Sequence, residues 1–220
     1  MQPRSDTHGI VFDLDGVLIH STGCHRAAFE EVLRPLGISD FDYAPYAGWR
    51  TVEVVAAEFE RCGLAADDDA IRVAAERKTQ LARQKLLETN PLAEGCADVL
   101  RRLAADYRLG LASSGSRGSV HAFLKANDFG GIFQSVLSGD DVAHAKPDPE
   151  IYSRSFDTLG LAPQSCLVVE DAVSGIESAR RAGAEVVGIT GTTSAEVLRT
   201  AGAVRVLSRL CELVPLLAEL

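Results

Sequence analysis

Asp13 and Asp15 stand one residue apart where the apolar run Ile10-Val11-Phe12 stops, and Gly16 follows them. A second acid pair, Glu170 and Asp171, follows Cys166-Leu167-Val168-Val169 in the same way. Between these pairs lie two more groups with chemical potential. Ser113, Ser114 and Gly115 follow the stretch Leu109–Ala112, and the glycine permits close backbone approach. Lys146 sits in Ala-Lys-Pro-Asp-Pro, held by Pro147 and the Pro149 turn. Paired carboxylates, a hydroxyl and a lysine are the groups that bind metals, move protons and hold anions. A lone Asp-x-Asp is usually a turn, and a lone acid pair before a helix is usually a cap. Four such groups, three just past an apolar run and Lys146 in the segment that follows another, need a common explanation.

The elements supply it. Short apolar runs at 9–13, 107–112, 133–137, 166–169, 185–189 and 204–207 read as strands, and helical patterns separate them. Strand alternating with helix predicts an α/β fold, a doubly wound parallel sheet covered on both faces. All four groups then fall at the carboxyl ends of parallel strands, where open α/β sheets bind their ligands. One region breaks the alternation. From 19 to 92 the sequence is helical with no convincing strand, and its helical runs stop at Gly37, at Gly63 and before Asn90-Pro91. The reading is therefore a core domain of 1–18 and 93–220 with an inserted helical domain of 19–92.

Composition narrows the class. The 220 residues are 46% hydrophobic and 24% charged, which supports a packed core. A formal net charge of -9 argues against nucleic acid or an anionic membrane surface as partner. The 5 cysteines are widely spaced and form no Cys-x-x-Cys, so a disulfide framework or zinc site is not expected. The N-terminus lacks an apolar signal region and no run is long enough to span a membrane. A reduced, cytoplasmic, monomeric protein is expected.

The stretches Asp-Leu-Asp-Gly-Val, Leu-Ala-Ser-Ser-Gly-Ser, Ala-Lys-Pro-Asp-Pro and Val-Val-Glu-Asp-Ala-Val-Ser-Gly resemble, in order and spacing, the motifs of the haloacid dehalogenase-like superfamily of phosphotransferases. The resemblance covers nearly the whole chain. The helical insertion resembles the cap of one large subgroup, which includes small-molecule phosphatases and β-phosphoglucomutase. The resemblance implies a Rossmann-like core and Mg²⁺ held by Asp13, the backbone carbonyl of Asp15, and Asp171. Glu170 would bind through a metal-held water or orient the set. It further implies Asp13 as the nucleophile forming a phosphoaspartate, and Asp15 as general acid and then general base. Lys146 would pair with Asp13 and a phosphate oxygen. The Ser113 hydroxyl and the backbone N–H groups of Ser114 and Gly115 would donate to the phosphate. Dehalogenases of the superfamily lack the second aspartate, so Asp15 favours phosphoryl transfer.

Within the insertion, Gly48-Trp49-Arg50 resembles the substrate-selecting loop of capped relatives. Gly48 would be its turn, and Trp49 and Arg50 either touch substrate or serve as packing and a solvated charge. His25 faces the site or the solvent. Lys78 shares a helical stripe with Ile71, Ala75 and Ala82, and either points inward or snorkels. The expected activity is hydrolysis of a small phosphate ester, a sugar phosphate or a phosphorylated acid. A β-phosphoglucomutase-like mutase is the alternative. It is disfavoured because the loop lacks the Gly-x-Ser-Arg pattern and position 82 is alanine where the mutase has tyrosine. A catalytically silent binding protein is the third reading.

Overall fold

The computed structural model describes residues 7–46, 49–65 and 67–218. The chain divides into two compact units, 1–20 with 91–220, and 21–90.

The first unit is built on a fully parallel six-stranded sheet. Its strands are β1 (Gly9–Phe12), β2 (Arg108–Ala112), β3 (Ser135–Leu137), β4 (Cys166–Glu170), β5 (Glu185–Ile189) and β6 (Arg205–Leu207). The spatial order is β3-β2-β1-β4-β5-β6. Central strands of such a sheet are covered on both faces, so they carry continuous apolar runs. β1 is buried throughout, and in β4 even the terminal Glu170 is buried. Gly9 leaves room for a neighbour: a Cβ there would lie 2.5 Å from Leu161 Cδ1.

The helices between strands are α4 (Cys96–Leu103), α5 (Arg117–Ala126), α6 (Glu150–Leu159), α7 (Val173–Arg181) and α8 (Ala195–Ala201), and α9 (Leu213–Ala218) follows β6. On one side of the sheet Val11 and Val168 pack with Tyr152, Phe156, Ile176 and Leu198. The order reverses direction between β1 and β4, since the chain leaves β1 toward β2 and returns to add β4 on its other side. Loops diverge at such a point and open a crevice past the strand ends.

The second unit consists of α1 (Thr22–Leu33), α2 (Thr51–Arg61) and α3 (Asp68–Thr89). α1 passes into a 3₁₀ turn at Arg34–Leu36 that closes on Gly37 at φ 90°. α3 opens with the Asp67 carboxylate accepting from Ala70 N–H at 2.8 Å and ends at Asn90 in the left-handed conformation, φ 40°. This unit has its own apolar core, including Phe29, Leu33, Val54, Val55, Phe59 and Leu81. Glu58 is buried beside that core. It accepts from Tyr46 Oη at 2.7 Å and from Arg61 Nη2 at 2.9 Å, and Arg61 also grips Asp40. Among the described residues, no helix is long and apolar enough to cross a membrane.

Candidate active site

Register brings the two acid pairs together. Phe12 lies opposite Val169, and the Asp13 N–H donates to Val169 O at 3.0 Å. Asp13 therefore leaves its strand beside the residues that end β4. Asp13, Glu170 and Asp171 are buried at 6%, 1% and 4% exposure, and each offers a carboxylate oxygen within 4.8 Å of the others.

Lys146 lies between two of these acids. Its side chain is 4% exposed, and Nζ donates to Asp13 Oδ1 at 2.7 Å, to Glu170 Oε1 at 2.7 Å and to Ala112 O at 3.1 Å. Its three protons thus have three acceptors. The Lys146–Pro147 peptide is cis. Asp13, Glu170 and Asp171 outnumber the one cation, and the carboxyls show the shortage. Burial and then the Glu170 charge push the Asp171 carboxyl up to about 7. Burial also lifts Asp13 well above the carboxylate range, against the opposing pull of Lys146, with the charges of Glu170, Asp171 and Asp15 adding to the rise. Burial opposes the charge on Lys146, but Asp13 and Glu170 outweigh it and the ammonium is held firmly protonated.

Glu170 has a distinct arrangement. Lys146 Nζ and Tyr152 Oη, the latter at 2.7 Å, both donate to its Oε1. The N–H groups of Asp171 and Ala172 donate to Oε2 at 3.0 and 3.2 Å. Two donors on each oxygen fill a carboxylate's capacity. Of the two roles expected for it, this geometry favours orienting the set. Asp171 differs: Thr192 Oγ1 donates to its Oδ2. Gly16, at φ +85°, lies against the same carboxylate, where a Cβ would come within 1.9 Å of Oδ2. The glycine after Asp-x-Asp is therefore required both by the backbone and by the acid it touches.

The serine loop closes another side. Ser113 is fully buried, and its Oγ accepts the Gly115 N–H at 3.0 Å. That bond differs from the expectation that this N–H is free for a phosphate. It leaves the Ser113 hydroxyl proton as the donor. A Cβ on Gly115 would lie 3.1 Å from Ser113 Oγ and 3.9 Å from Asp15 Oδ2, which puts both side chains beside this backbone turn. The loop is braced from below by Gly139 N–H donating to Gly115 O at 2.8 Å. Arg117 adds to the brace, its N–H donating to Asp140 Oδ2 at 2.8 Å and its Nη2 to Asp141 Oδ1 at 2.6 Å. Asp140 and Asp141 thus brace a turn.

In the helical unit, Lys78 points inward at 4% exposure, with Nζ 2.9 Å from His25 Nδ1 and 4.1 Å from the centre of the Phe29 ring. Thr51 Oγ1 lies 3.5 Å from the same Nζ. His25 and Lys78 therefore form one cluster. Arg50 precedes α2, its N–H donating to Glu53 Oε2 at 3.2 Å, and its Nη2 is buried with no hydrogen-bond partner among the described residues. Gly48 lies outside the described residues. Trp49 is 53% exposed and rests edge-on against Tyr46.

Two residues of the site escaped the sequence reading. Thr192 follows β5 in a stretch of small polar residues with no distinguishing spacing. Tyr152 reads as an ordinary core aromatic of α6.

A parallel sheet with buried carboxylates, a lysine and a serine loop past its strand ends is the arrangement of a Rossmann-like hydrolase core. The chain belongs to the haloacid dehalogenase-like hydrolase family, whose family model matches residues 10–189. Protein CbbY of Rhodobacter capsulatus is 34% identical over 190 residues, covering 81% of this chain and 83% of that protein. Validoxylamine A 7'-phosphate phosphatase of Streptomyces hygroscopicus subsp. limoneus is 32% identical over 197 residues, covering 87% and 89%. The crystal structure of an aspartate-to-asparagine variant of CbbY from Rhodobacter sphaeroides, in complex with xylulose-(1,5)bisphosphate, superposes with a TM-score of 0.80 at 29% identity over 94% of this chain and 96% of that one. The protein is a phosphoric monoester hydrolase acting on a phosphorylated small metabolite.

Proposed function

We propose that this enzyme is a Mg²⁺-dependent phosphatase that hydrolyses a sugar phosphate or phosphorylated acid through a phosphoaspartate on Asp13. The observation that carries the reading is Asp13 itself: a buried carboxylate, fixed by Lys146 at 2.7 Å, inside an acid cluster short of positive charge. That shortage fits a hard divalent cation, since the donors are all oxygens and the raised carboxyls would ionise on meeting one. Asp13 and Asp171, with the Asp15 carbonyl, would hold it. It supplies charge neutralisation for the phosphate oxygens and for the attacking carboxylate.

The chain's own residues do the rest. Lys146 fixes Asp13 in position and offers a positive charge beside the phosphate. Ser113 donates its hydroxyl proton to a phosphate oxygen. Ser114 and Gly115 line the same turn. The free Asp13 oxygen attacks phosphorus as the ester oxygen leaves, and Asp15 gives that oxygen its proton. Asp15 then takes a proton from the water that cleaves the acyl phosphate, which returns Asp13. The helical unit is proposed as the cap that selects the leaving group, with Arg50, His25 and Lys78 as the residues that read it. The xylulose-(1,5)bisphosphate in the CbbY structure places a sugar bisphosphate among the substrates to be tried.

The test is phosphate release with Mg²⁺ from a panel of sugar mono- and bisphosphates, phosphoglycolate, glycerol 3-phosphate and nucleoside monophosphates, beside Asp13→Asn. Release from a few esters, abolished in a folded Asp13→Asn, is expected. Wild-type rates in that variant would sink the covalent route. Conversion of β-glucose 1-phosphate to the 6-phosphate without release would make the enzyme a mutase.

A further inference from the structure

Tyr152 is a fully buried member of the apolar core of the α/β unit, and phenylalanine would fill the same space. Its hydroxyl is therefore an addition that burial alone disfavours unless it is bonded. The partner is Glu170 Oε1 at 2.7 Å, the oxygen that also receives Lys146 Nζ. The ring face takes part as well, lying 4.8 Å from Nζ, within the range of a cation–π contact. Tyr152 thus touches both members of the ion pair that aims Lys146 at Asp13. The carboxylate oxygen accepts, so the phenol is the donor. The backbone supports the same arrangement, since Tyr152 lies in the first turn of α6, directly after the Lys146–Pro149 loop.

We infer that Tyr152 is a positioning residue: its hydroxyl fixes the Glu170 carboxylate and its ring steadies the ammonium, so that Lys146 keeps one proton on Asp13. The inference rests on the proposed phosphatase reading for its kinetic consequence only. Without the hydroxyl, Glu170 Oε1 keeps Lys146 as its donor, and the carboxylate can turn about the backbone bonds that hold Oε2, taking Lys146 with it.

The experiment uses Tyr152→Phe, which keeps the ring and removes the hydroxyl. The first readout is the side-chain ammonium resonance of Lys146 in ¹⁵N-labelled protein, assigned by its loss in Lys146→Met. In wild type it is expected to exchange slowly with solvent, and in Tyr152→Phe to shift and exchange several times faster. The second is turnover: kcat is expected to fall about tenfold with KM within twofold, the pattern of a group acting on the reacting state. The third is coupling. In a Glu170→Gln background, Tyr152→Phe should change kcat by less than twofold, because the partner is already altered. An unchanged ammonium signal in a folded Tyr152→Phe overturns the inference, as does a kcat within twofold of wild type or fully additive losses. If wild type releases no phosphate from any ester, the phosphatase reading fails, and the ammonium signal alone decides the role of Tyr152.

Discussion

Replacing Lys146 by methionine removes the cation and keeps most of the stem, and the cost follows from the geometry. The lysine side chain is 4% exposed and bonds Asp13 and Glu170 at 2.7 Å each, with Ala112 O as its third acceptor. Its loss leaves two buried carboxylates whose oxygens lie within 4.8 Å of each other and of Asp171. At that separation and an effective dielectric constant of about 20, one like-charge pair costs about 3.5 kcal/mol. Breaking a buried ion pair from one side typically costs about 3–5 kcal/mol, and the same range is expected here at pH 8. The protein can escape part of this by protonating a carboxyl. Asp13 already sits well above the ordinary carboxylate value through burial, and without Lys146 it must rise further. A folded-state value above the unfolded one means that the native state binds more protons, so stability is present at low pH and lost as pH rises through the folded value. The deficit of Lys146→Met should therefore be smaller at pH 5 than at pH 8. The assay is urea unfolding in chelator at both pH values. It is best followed by circular dichroism, because the single tryptophan, Trp49, reports the helical unit. With a slope of about 2 kcal/mol per M, the pH 8 midpoint should drop by about 1.5–2.5 M. A drop worth under about 1 kcal/mol, or one equal at both pH values, would refute the argument that Lys146 is the cluster's principal neutralising group.

Two other outcomes test the acid cluster and the helical unit. Asp171, raised to about 7 from 3.8 chiefly by burial, makes the metal-free protein lose stability as pH climbs from about 4 to 7; added Mg²⁺ should restore it, by about 2.7 kcal/mol at a hundredfold excess over Kd. Thermal melts with and without Mg²⁺ should thus separate more at pH 8 than at pH 5, and coincident curves at pH 8 would exclude a metal at these residues. In the helical unit, Glu58→Gln replaces a buried carboxylate that holds Tyr46 and Arg61, and should cost about 2 kcal/mol. Trp49 fluorescence, one aromatic contact from Tyr46, should report an earlier transition, and an unchanged one would mean that the network is stabilised elsewhere.

Much of the candidate site could be read from local sequence because the signal is a contrast between neighbours. Ile10-Val11-Phe12 must be buried and Asp13 must not be buried without partners, so the strand end identifies itself. The same contrast marks Glu170 and Asp171 at the end of β4. The strand runs at 185–189 and the helix stops at Gly37, Gly63 and Asn90 are likewise local, set by side-chain size and by backbone angles that few residues adopt. Thr192 and Tyr152 carry no such contrast. A threonine in a polar loop and a tyrosine on an apolar helix face look the same whether or not an acid waits across the fold.

The sequence by itself therefore determined the alternation of strand and helix, the helical insertion, and the identity of the groups able to do chemistry. Tertiary structure decided their partners. Only the order β3-β2-β1-β4-β5-β6 puts β1 beside β4, and with it Asp13 beside Glu170 and Asp171. Only that convergence makes one lysine serve two acids, raises the carboxyls, and fills both oxygens of Glu170. Strand pairing joins residues more than a hundred positions apart through backbone bonds that nearly any side chain permits. The chain's local preferences do not encode it, and the packing of the whole sheet selects it.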